Sequence, residues 1–257
     1  MRSGLRLVFP CYNEEKRLDR GRFLEMARAG MPLLLVDDGS TDGTSSMLHA
    51  IADAAREGGH DVEVLPLAQN GGKAEAVRRG MLRAIEQGAT LVAYADSDLA
   101  TPPEEIARLV GIAQTEAARD GGAQVVMGSR VARAGAHIER STKRHVLGRV
   151  WASAASLILR ARFYDTQCGA KVFAVTPTLR AALSTPFLSR WGFDVELIAR
   201  LLTGAAGSPP VREDDFLEVP LLRWVDVKGS KLTLGAMARA AIDLGRIELE
   251  TRRMRKR

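Results

Sequence analysis

A few short clusters in this sequence put oxygen and charge close enough together to do chemistry. Asp96-Ser97-Asp98 places two carboxylates two residues apart, just past an apolar run. Two such groups meeting in one turn suit a hard divalent cation, magnesium or manganese, which keeps positions open for substrate phosphates. The ion would neutralise charge on a departing diphosphate. A solvated turn, or a cap on the helix that follows, accounts for the same residues, and a lone D-x-D does not choose between them. Asp37-Asp38-Gly39-Ser40-Thr41-Asp42-Gly43-Thr44 is longer. Acidic groups at the end of a second strand can hydrogen-bond a ribose or a base edge, and the glycines allow close backbone approach. An ordinary Asp/Gly-rich turn is the alternative; length and placement favour a site. Asn70-Gly71-Gly72-Lys73 precedes a helical pattern and offers amides and an ammonium to phosphate or base, although alone it reads better as a helix cap with a solvated lysine. Gly128-Ser129-Arg130 brings an arginine to another strand end, for a phosphate clamp or a surface ion pair.

Other chemistries leave no trace. The first strand–helix turn, Phe9-Pro10-Cys11-Tyr12-Asn13-Glu14, is not G-x-G-x-x-G, and no P-loop or G-x-S-x-G elbow occurs. His49, His60, His137 and His145 are scattered without metal-ligand spacing. Cys11 and Cys168 make neither a disulfide framework nor a zinc site, and read as reduced thiols.

The elements that must position the clusters alternate. Apolar runs at Leu5–Phe9, Leu33–Val36, Val62–Leu67, Leu91–Ala95 and Val125–Met127 read as strands. Helical spacing covers Glu14–Ala29, Ser40 or Thr41 to about Arg56, Lys73–Gln87, and Pro102 or Pro103 to about Arg119. Strands apolar on both faces and alternating with helices predict an α/β fold, a mostly parallel central sheet with helices on both faces. Ligands bind such sheets at the carboxyl ends of the strands, where the polar clusters fall. The second half is less regular. Ser141–Leu159 and Asp194–Leu202 read as helices, Gln167–Val175 as extended, Ser208-Pro209-Pro210 as a loop, and Phe216–Leu222 and Arg223–Val227 as strands. From Leu232 onward Leu234, Met237, Ala241, Leu244 and Ile247 share one helix face.

Composition bounds the partners. The 257 residues suffice for one large domain or two small ones. Lys and Arg number 37 against 31 Asp and Glu, a net +6, with Arg252, Arg253, Arg255, Lys256 and Arg257 crowding the tail. Such a balance suits an anionic membrane surface or phosphorylated substrates; an aromatic content of 5% leaves nucleic acid without stacking platforms. No apolar stretch reaches the ~20 residues of a membrane span, and the N-terminal apolar run is too short for a signal peptide. The chain is expected to be cytoplasmic, at most against the inner face of a membrane.

Together the clusters resemble the inverting glycosyltransferases with the GT-A fold. The pattern runs in order through Pro10-Cys11-Tyr12-Asn13-Glu14, Asp37-Asp38-Gly39-Ser40, Asn70-Gly71-Gly72-Lys73, Asp96-Ser97-Asp98 and Gly128-Ser129-Arg130. Farther on, Asp165-Thr166-Gln167-Cys168-Gly169-Ala170-Lys171-Val172-Phe173 is similar to the D-T-Q-C-G-F-K-L-F segment of the dolichyl-phosphate β-glucosyltransferases. Arg190-Trp191-Gly192-Phe193-Asp194-Val195-Glu196-Leu197 is similar to their R-W-A-F-D-V-E-L, and Trp224 through Leu232 to their W-x-x-x-x-G-S-K-L. Asp98-Leu99-Ala100-Thr101 also fits that branch; Ala170 and Gly192 depart from it.

The resemblance implies metal-dependent transfer of glucose from UDP-glucose to a polyprenyl or dolichyl phosphate, with inversion. It implies a donor site of Pro10, Tyr12, Asn13, Glu14, Asp37, Asp38, Gly39, Gly71, Lys73, Asp96, Asp98 and Arg130. Asp37 would contact the uracil, with Asp38 near the ribose. Asp98, with Asp96, would hold Mg2+ or Mn2+. Arg130, with Arg140 or Arg144, would hold phosphates, and Asp165 and Asp194 would lie near sugar and acceptor. Asp98, Arg130, Asp165 and Asp194 form the expected catalytic set. The GT-A domain is expected over residues 1–231, and the apolar face and basic tail of 232–257 read as a C-terminal helix docked on a membrane surface or packed on the core. Other readings are another donor (GDP-mannose or UDP-GlcNAc), a soluble hydroxyl acceptor, a sugar-nucleotide pyrophosphorylase and a non-catalytic nucleotide-sugar-binding protein.

Overall fold

The computed structural model describes residues 4–139, 142–190, 192–204, 207–226 and 234–255, with the backbone alone for 142–150 and 234–241. Expected Arg140 and the Val227–Leu232 segment lie outside them, as does the Arg144 side chain.

Among the described residues seven strands form one sheet in the order β3-β2-β1-β4-β7-β5-β8. These are β1 (Leu5–Cys11), β2 (Leu33–Asp37), β3 (Val62–Pro66), β4 (Leu91–Ala95), β5 (Val125–Ser129), β7 (Ala170–Ala174) and β8 (Phe216–Pro220). Every residue of β1, β2, β4 and β5 is buried, as a sheet covered on both faces requires. Successive side chains enter opposite cores. Leu7, Phe9, Leu33 and Leu35 meet Phe23 of α1 (Arg20–Arg28), Leu48 of α2 (Thr44–Glu57) and Leu109 of α4 (Pro103–Ala117). Val8, Leu34 and Val36 meet Val77 and Met81 of α3 (Lys73–Glu86), in the core shared with Leu179 of α6 (Pro177–Leu183) and Ile198 of α7 (Phe193–Thr203).

Most pairings are parallel, as expected, but β7 runs antiparallel between β4 and β5. Its amino end therefore sits at the carboxyl edge of its neighbours, so the residues just ahead of it face the same edge as the acidic clusters. A pair of short parallel strands, β6 (His137–Glu139) and β9 (Arg223–Val225), forms a separate ribbon. Two elements, β6 and α6, go beyond those expected from the sequence. The first is three residues long; the second was signalled by Thr176-Pro177, where the Thr176 hydroxyl accepts from the Leu179 amide at 3.1 Å and Pro177 takes the first turn.

The first helix starts later than its spacing predicts. Arg17 and Leu18 donate to the Glu14 carbonyl in an isolated turn. Asp19 then breaks to extended backbone and caps α1, accepting from the Arg22 amide at 3.1 Å.

Helix α5 (Thr142–Leu159) and the C-terminal α8 (Leu234–Met254) pack against each other, and α8 also meets α7. The apolar face expected of α8 turns inward where it is described: Ile247 is buried and Leu244 packs against the core. The outward face instead alternates Ile242 and Leu249, both more than half exposed, with exposed Arg246 and Arg253. Among the described residues no helix is long and apolar enough to cross a membrane.

Candidate active site

The loops after β1, β2 and β3 are bound into one unit. The Asp38 amide donates to the Cys11 carbonyl at 2.9 Å. The Asn13 amide donates to the Ser40 hydroxyl at 3.1 Å, and the Asn13 side chain accepts from the Thr41 amide at 2.9 Å. The Glu14 amide reaches the Thr44 hydroxyl at 2.7 Å. Asp37 closes its own turn by accepting from the Ser40 amide at 3.0 Å. Asp38 directs one oxygen to the Gly71 amide and the other to the Gly72 amide, each at 2.8 Å. Burial pushes the Asp38 carboxyl above its usual value, and those two amides only partly offset it. A Cβ on Gly39 would stand 2.7 Å from the Gln69 carbonyl carbon, and its φ of +66° is left-handed, so only glycine lets these loops meet.

This unit places Gly71, Gly72 and Lys73 differently from a free phosphate cradle, because two of the loop's amides are taken by Asp38. Lys73 stands at the start of α3 with its ammonium 2.5 Å from Asp96 Oδ1 and 5.8 Å from the Phe193 ring centre. Tyr12 is left 43% exposed at the rim. Glu14 is buried, held by Arg17 at 2.7 Å, with its second oxygen unpartnered.

Past β4 the chain turns tightly. The Leu99 amide donates to the Asp96 carbonyl at 3.1 Å, Leu99 takes a φ of +51°, and Asp98 accepts from the Ala100 amide at 3.1 Å. Asp96 and Asp98 stay half-buried. Burial, and then the neighbouring Asp96, push the Asp98 carboxyl up. The Asp96 amide donates to the Gly169 carbonyl at 3.0 Å, just ahead of β7. A Cβ at Gly169 would overlap the Asp96 carboxylate. The space Asp96 occupies thus exists because the reversed strand begins with glycine.

The second half contributes carboxylates of another kind. Arg130 grips Asp165 in a fork, Nε to Oδ2 at 2.6 Å and Nη2 to Oδ1 at 2.7 Å, with the Arg130 amide adding a third bond at 3.1 Å. Burial would raise the Asp165 pKa, but the bonds from Arg130 prevail and hold it below its ordinary value. Trp224 of β9 lies 5.3 Å from the guanidinium, and Glu218 of β8 accepts from the Tyr164 and Asp165 amides at 2.7 and 2.9 Å. Asp194, at the start of α7, pairs with the buried Lys171 of β7 at 2.6 Å and accepts from the Tyr94 hydroxyl. Lys171 also donates to the Cys168 carbonyl at 2.7 Å. Two residues on from Asp194, Glu196 pairs with Arg200 at 2.6 Å.

The sequence-predicted residues therefore meet along one edge, with Lys73, Asp96 and Asp98 opening onto it, Asp37 and Asp38 buried in the loop unit beneath it, and Asp165 and Asp194 sunk into ion pairs behind it. Arg130, expected to hold phosphate, is directed at Asp165. The sequence reading missed Lys171, Tyr94, Glu218 and Arg190, although a lone lysine in the apolar run Ala170–Ala174 signals a buried partner. Arg190 is exposed, lays its stem against Gly72, and its charge acts on Asp38.

Comparison with known proteins decides what such an edge belongs to. The model of Glycosyl transferase family 2 matches residues 7–183, more than half of the chain. The chain belongs to this family. It is a glycosyltransferase. Among its relatives, dolichyl-phosphate beta-glucosyltransferase of Drosophila melanogaster is 35% identical over 251 residues, spanning 89% of this chain and 69% of that protein. The enzyme of the same name from Homo sapiens is 29% identical, spanning 89% and 69%. Among solved structures, mannosyltransferase PcManGT from Pyrobaculum calidifontis, in complex with GDP-Man and Mn2+, superposes with a TM-score of 0.56 at 17% identity. That match spans 98% of this chain and 65% of the other, and it supports the fold alone. The GT-A transferase expected from the motifs holds, and the pyrophosphorylase and non-catalytic readings give way to it.

Proposed function

We propose that this family 2 glycosyltransferase moves glucose from UDP-glucose to a polyprenyl or dolichyl phosphate, with inversion and with the help of a divalent metal. The observation that carries the acceptor is the state of the two carboxylates expected near it. A hydroxyl acceptor needs a general base. Asp165 is tied by three bonds to Arg130, and Asp194 by Lys171 and Tyr94. Both carboxylates are thus engaged by buried cations. A phosphate monoester has a second pKa near ~6 and arrives already ionised, so it attacks the anomeric carbon without a base. The site then has only to align the reactants and stabilise the leaving diphosphate against an oxocarbenium-like transition state. The names of the relatives point the same way for acceptor and sugar.

The donor set fits the metal. Asp98 keeps one oxygen clear of its bond to Ala100, Asp96 has the space that Gly169 leaves, and both are half-exposed. Oxygen ligands with open positions suit Mg2+ or Mn2+, and no third His, Cys, Asp or Glu joins them among the described residues. Bound there, the ion would supply positive charge to the diphosphate. The nucleoside would lie over the unit built from Tyr12, Asn13, Glu14, Asp37, Asp38 and Gly39, with Arg190 at its margin. The outward stripe of α8, Ile242-Arg246-Leu249-Arg253, would rest on an anionic membrane where the lipid acceptor resides.

The test is a panel of labelled UDP- and GDP-sugars offered with manganese or magnesium and a short polyprenyl phosphate. The expected outcome is metal-dependent transfer of glucose to the lipid phase, lost in Asp98→Ala. Transfer from GDP-mannose or UDP-GlcNAc instead would change the donor. Transfer only to a soluble hydroxyl would overturn the acceptor.

A further inference from the structure

Among the described residues, Lys73 is the cation paired with the D-x-D turn. Its ammonium lies 2.5 Å from Asp96 Oδ1, and its side chain is 38% exposed. Three other cations around the edge have carboxylate partners of their own, Lys171 with Asp194, Arg130 with Asp165 and Arg17 with Glu14, while Arg190 lies exposed beside Gly72. Lys73 sits at the first position of α3, behind a loop fastened through Gly71 and Gly72 to Asp38. Its backbone is thus anchored, while its four-carbon stem and half-exposed head can move. Asp96 is also one of the two oxygen donors to which the metal is assigned. One carboxylate therefore faces two cations.

We propose that Lys73 is a built-in counter-ion which competes with the divalent metal for Asp96 and transfers its charge to the donor diphosphate when the nucleotide arrives. The inference rests on the transferase reading above and adds a mechanism of site loading to it. In the empty site Lys73 cancels one of the two charges at Asp96 and Asp98, so manganese alone binds weakly. A diphosphate offers the ammonium a more highly charged partner. Once Lys73 moves to it, Asp96 is released to the metal. Nucleotide and metal then favour each other's binding, by equal factors, as linkage demands.

The experiment reads binding, not turnover. Manganese affinity is measured by the electron paramagnetic resonance signal of the free ion, with and without UDP, for the full chain and for Lys73→Met and Lys73→Gln. UDP affinity is followed by calorimetry in parallel. Without UDP both variants should bind manganese about fivefold more tightly than the parent chain, as an ion pair at a partly exposed site is worth. The gain in manganese affinity on adding UDP should be larger in the parent than in either variant. UDP alone should bind the variants about tenfold more weakly, the loss expected for a charge-assisted contact. Manganese affinity that is unchanged or weaker in both variants, or no manganese bound by any of the proteins, overturns the proposal. UDP binding by the parent chain keeps the donor site standing in that event, whereas a parent that binds no UDP takes the UDP-glucose donor reading down as well.

Discussion

The carboxylates of the turn after β4 and those of the second half are treated differently by the same fold. Asp96 and Asp98 sit half-exposed on the turn after β4, one held by a half-exposed lysine and the other by a single amide. Asp165, Asp194 and Glu196 are buried, each against a fixed cation: Arg130, Lys171 and Arg200. A buried carboxylate forfeits hydration and persists as an ion only if a partner replaces the water. A half-exposed one retains hydration that it can exchange for a ligand. The first group is suited to bind; the second organises the wall against which binding happens. Motif resemblance alone puts Asp98, Asp165 and Asp194 in one catalytic set, so the distinction is worth attacking.

The largest effect is expected behind the edge. Asp194→Ala leaves Lys171 buried without its partner and should cost about 3–5 kcal/mol of stability in urea unfolding. Replacing both residues with apolar ones of similar volume should recover most of that loss. If Asp194→Asn keeps full stability and loses only turnover, the division between the two groups fails. Next comes the open edge: Asp98→Ala should lower kcat by roughly 10²–10³-fold while stability stays within about 0.5 kcal/mol. A third test uses acid. Arg130 holds the Asp165 carboxyl below its ordinary value, so the pair's contribution is complete above the unfolded pKa of about 3.9. It is lost only as pH falls through the lower folded value. The stability gap between the parent chain and Asp165→Asn should stay flat from neutral pH down to about pH 4 and close below it. The smallest effect belongs to the outward face of α8. Ile242→Ser with Leu249→Ser should change stability by no more than about 0.5 kcal/mol per site yet reduce sedimentation with anionic liposomes; unchanged sedimentation would remove that face from the membrane reading.

The edge was legible in the sequence because it is written locally. Leu91–Ala95 is an unbroken apolar run that ends in Asp96, and Leu33–Val36 ends likewise at Asp37, so the strand ends and their acidic turns were placed within a residue or two. What each acid does there was not legible. Asp38 looked free for a ribose, and its attachment to Gly71 and Gly72 spans more than 30 positions of chain. The Lys171–Asp194 pair depends on β7 running backwards between β4 and β5; an extended segment shows its length in sequence and not its direction. The start of α1 was misplaced for a smaller reason. Leu18, Phe23 and Met26 keep helical spacing, but Asp19 is a better cap than a helix interior residue.

The reversed strand also constrains the order in which the molecule can assemble. β4 and β5 never touch as neighbours, because β7 pairs with both. As the chain emerges from the ribosome, β3, β2, β1 and β4 can zip together once residue 95 is available, leaving β4 as a bare margin. That margin stays open until residues 170–174 arrive, some 75 positions later. In the interval β5 has no partner on either side, since β8 comes later still. A nascent chain of this design carries a naked, wholly apolar strand edge through the middle of its synthesis, the stretch in which a chaperone would find it.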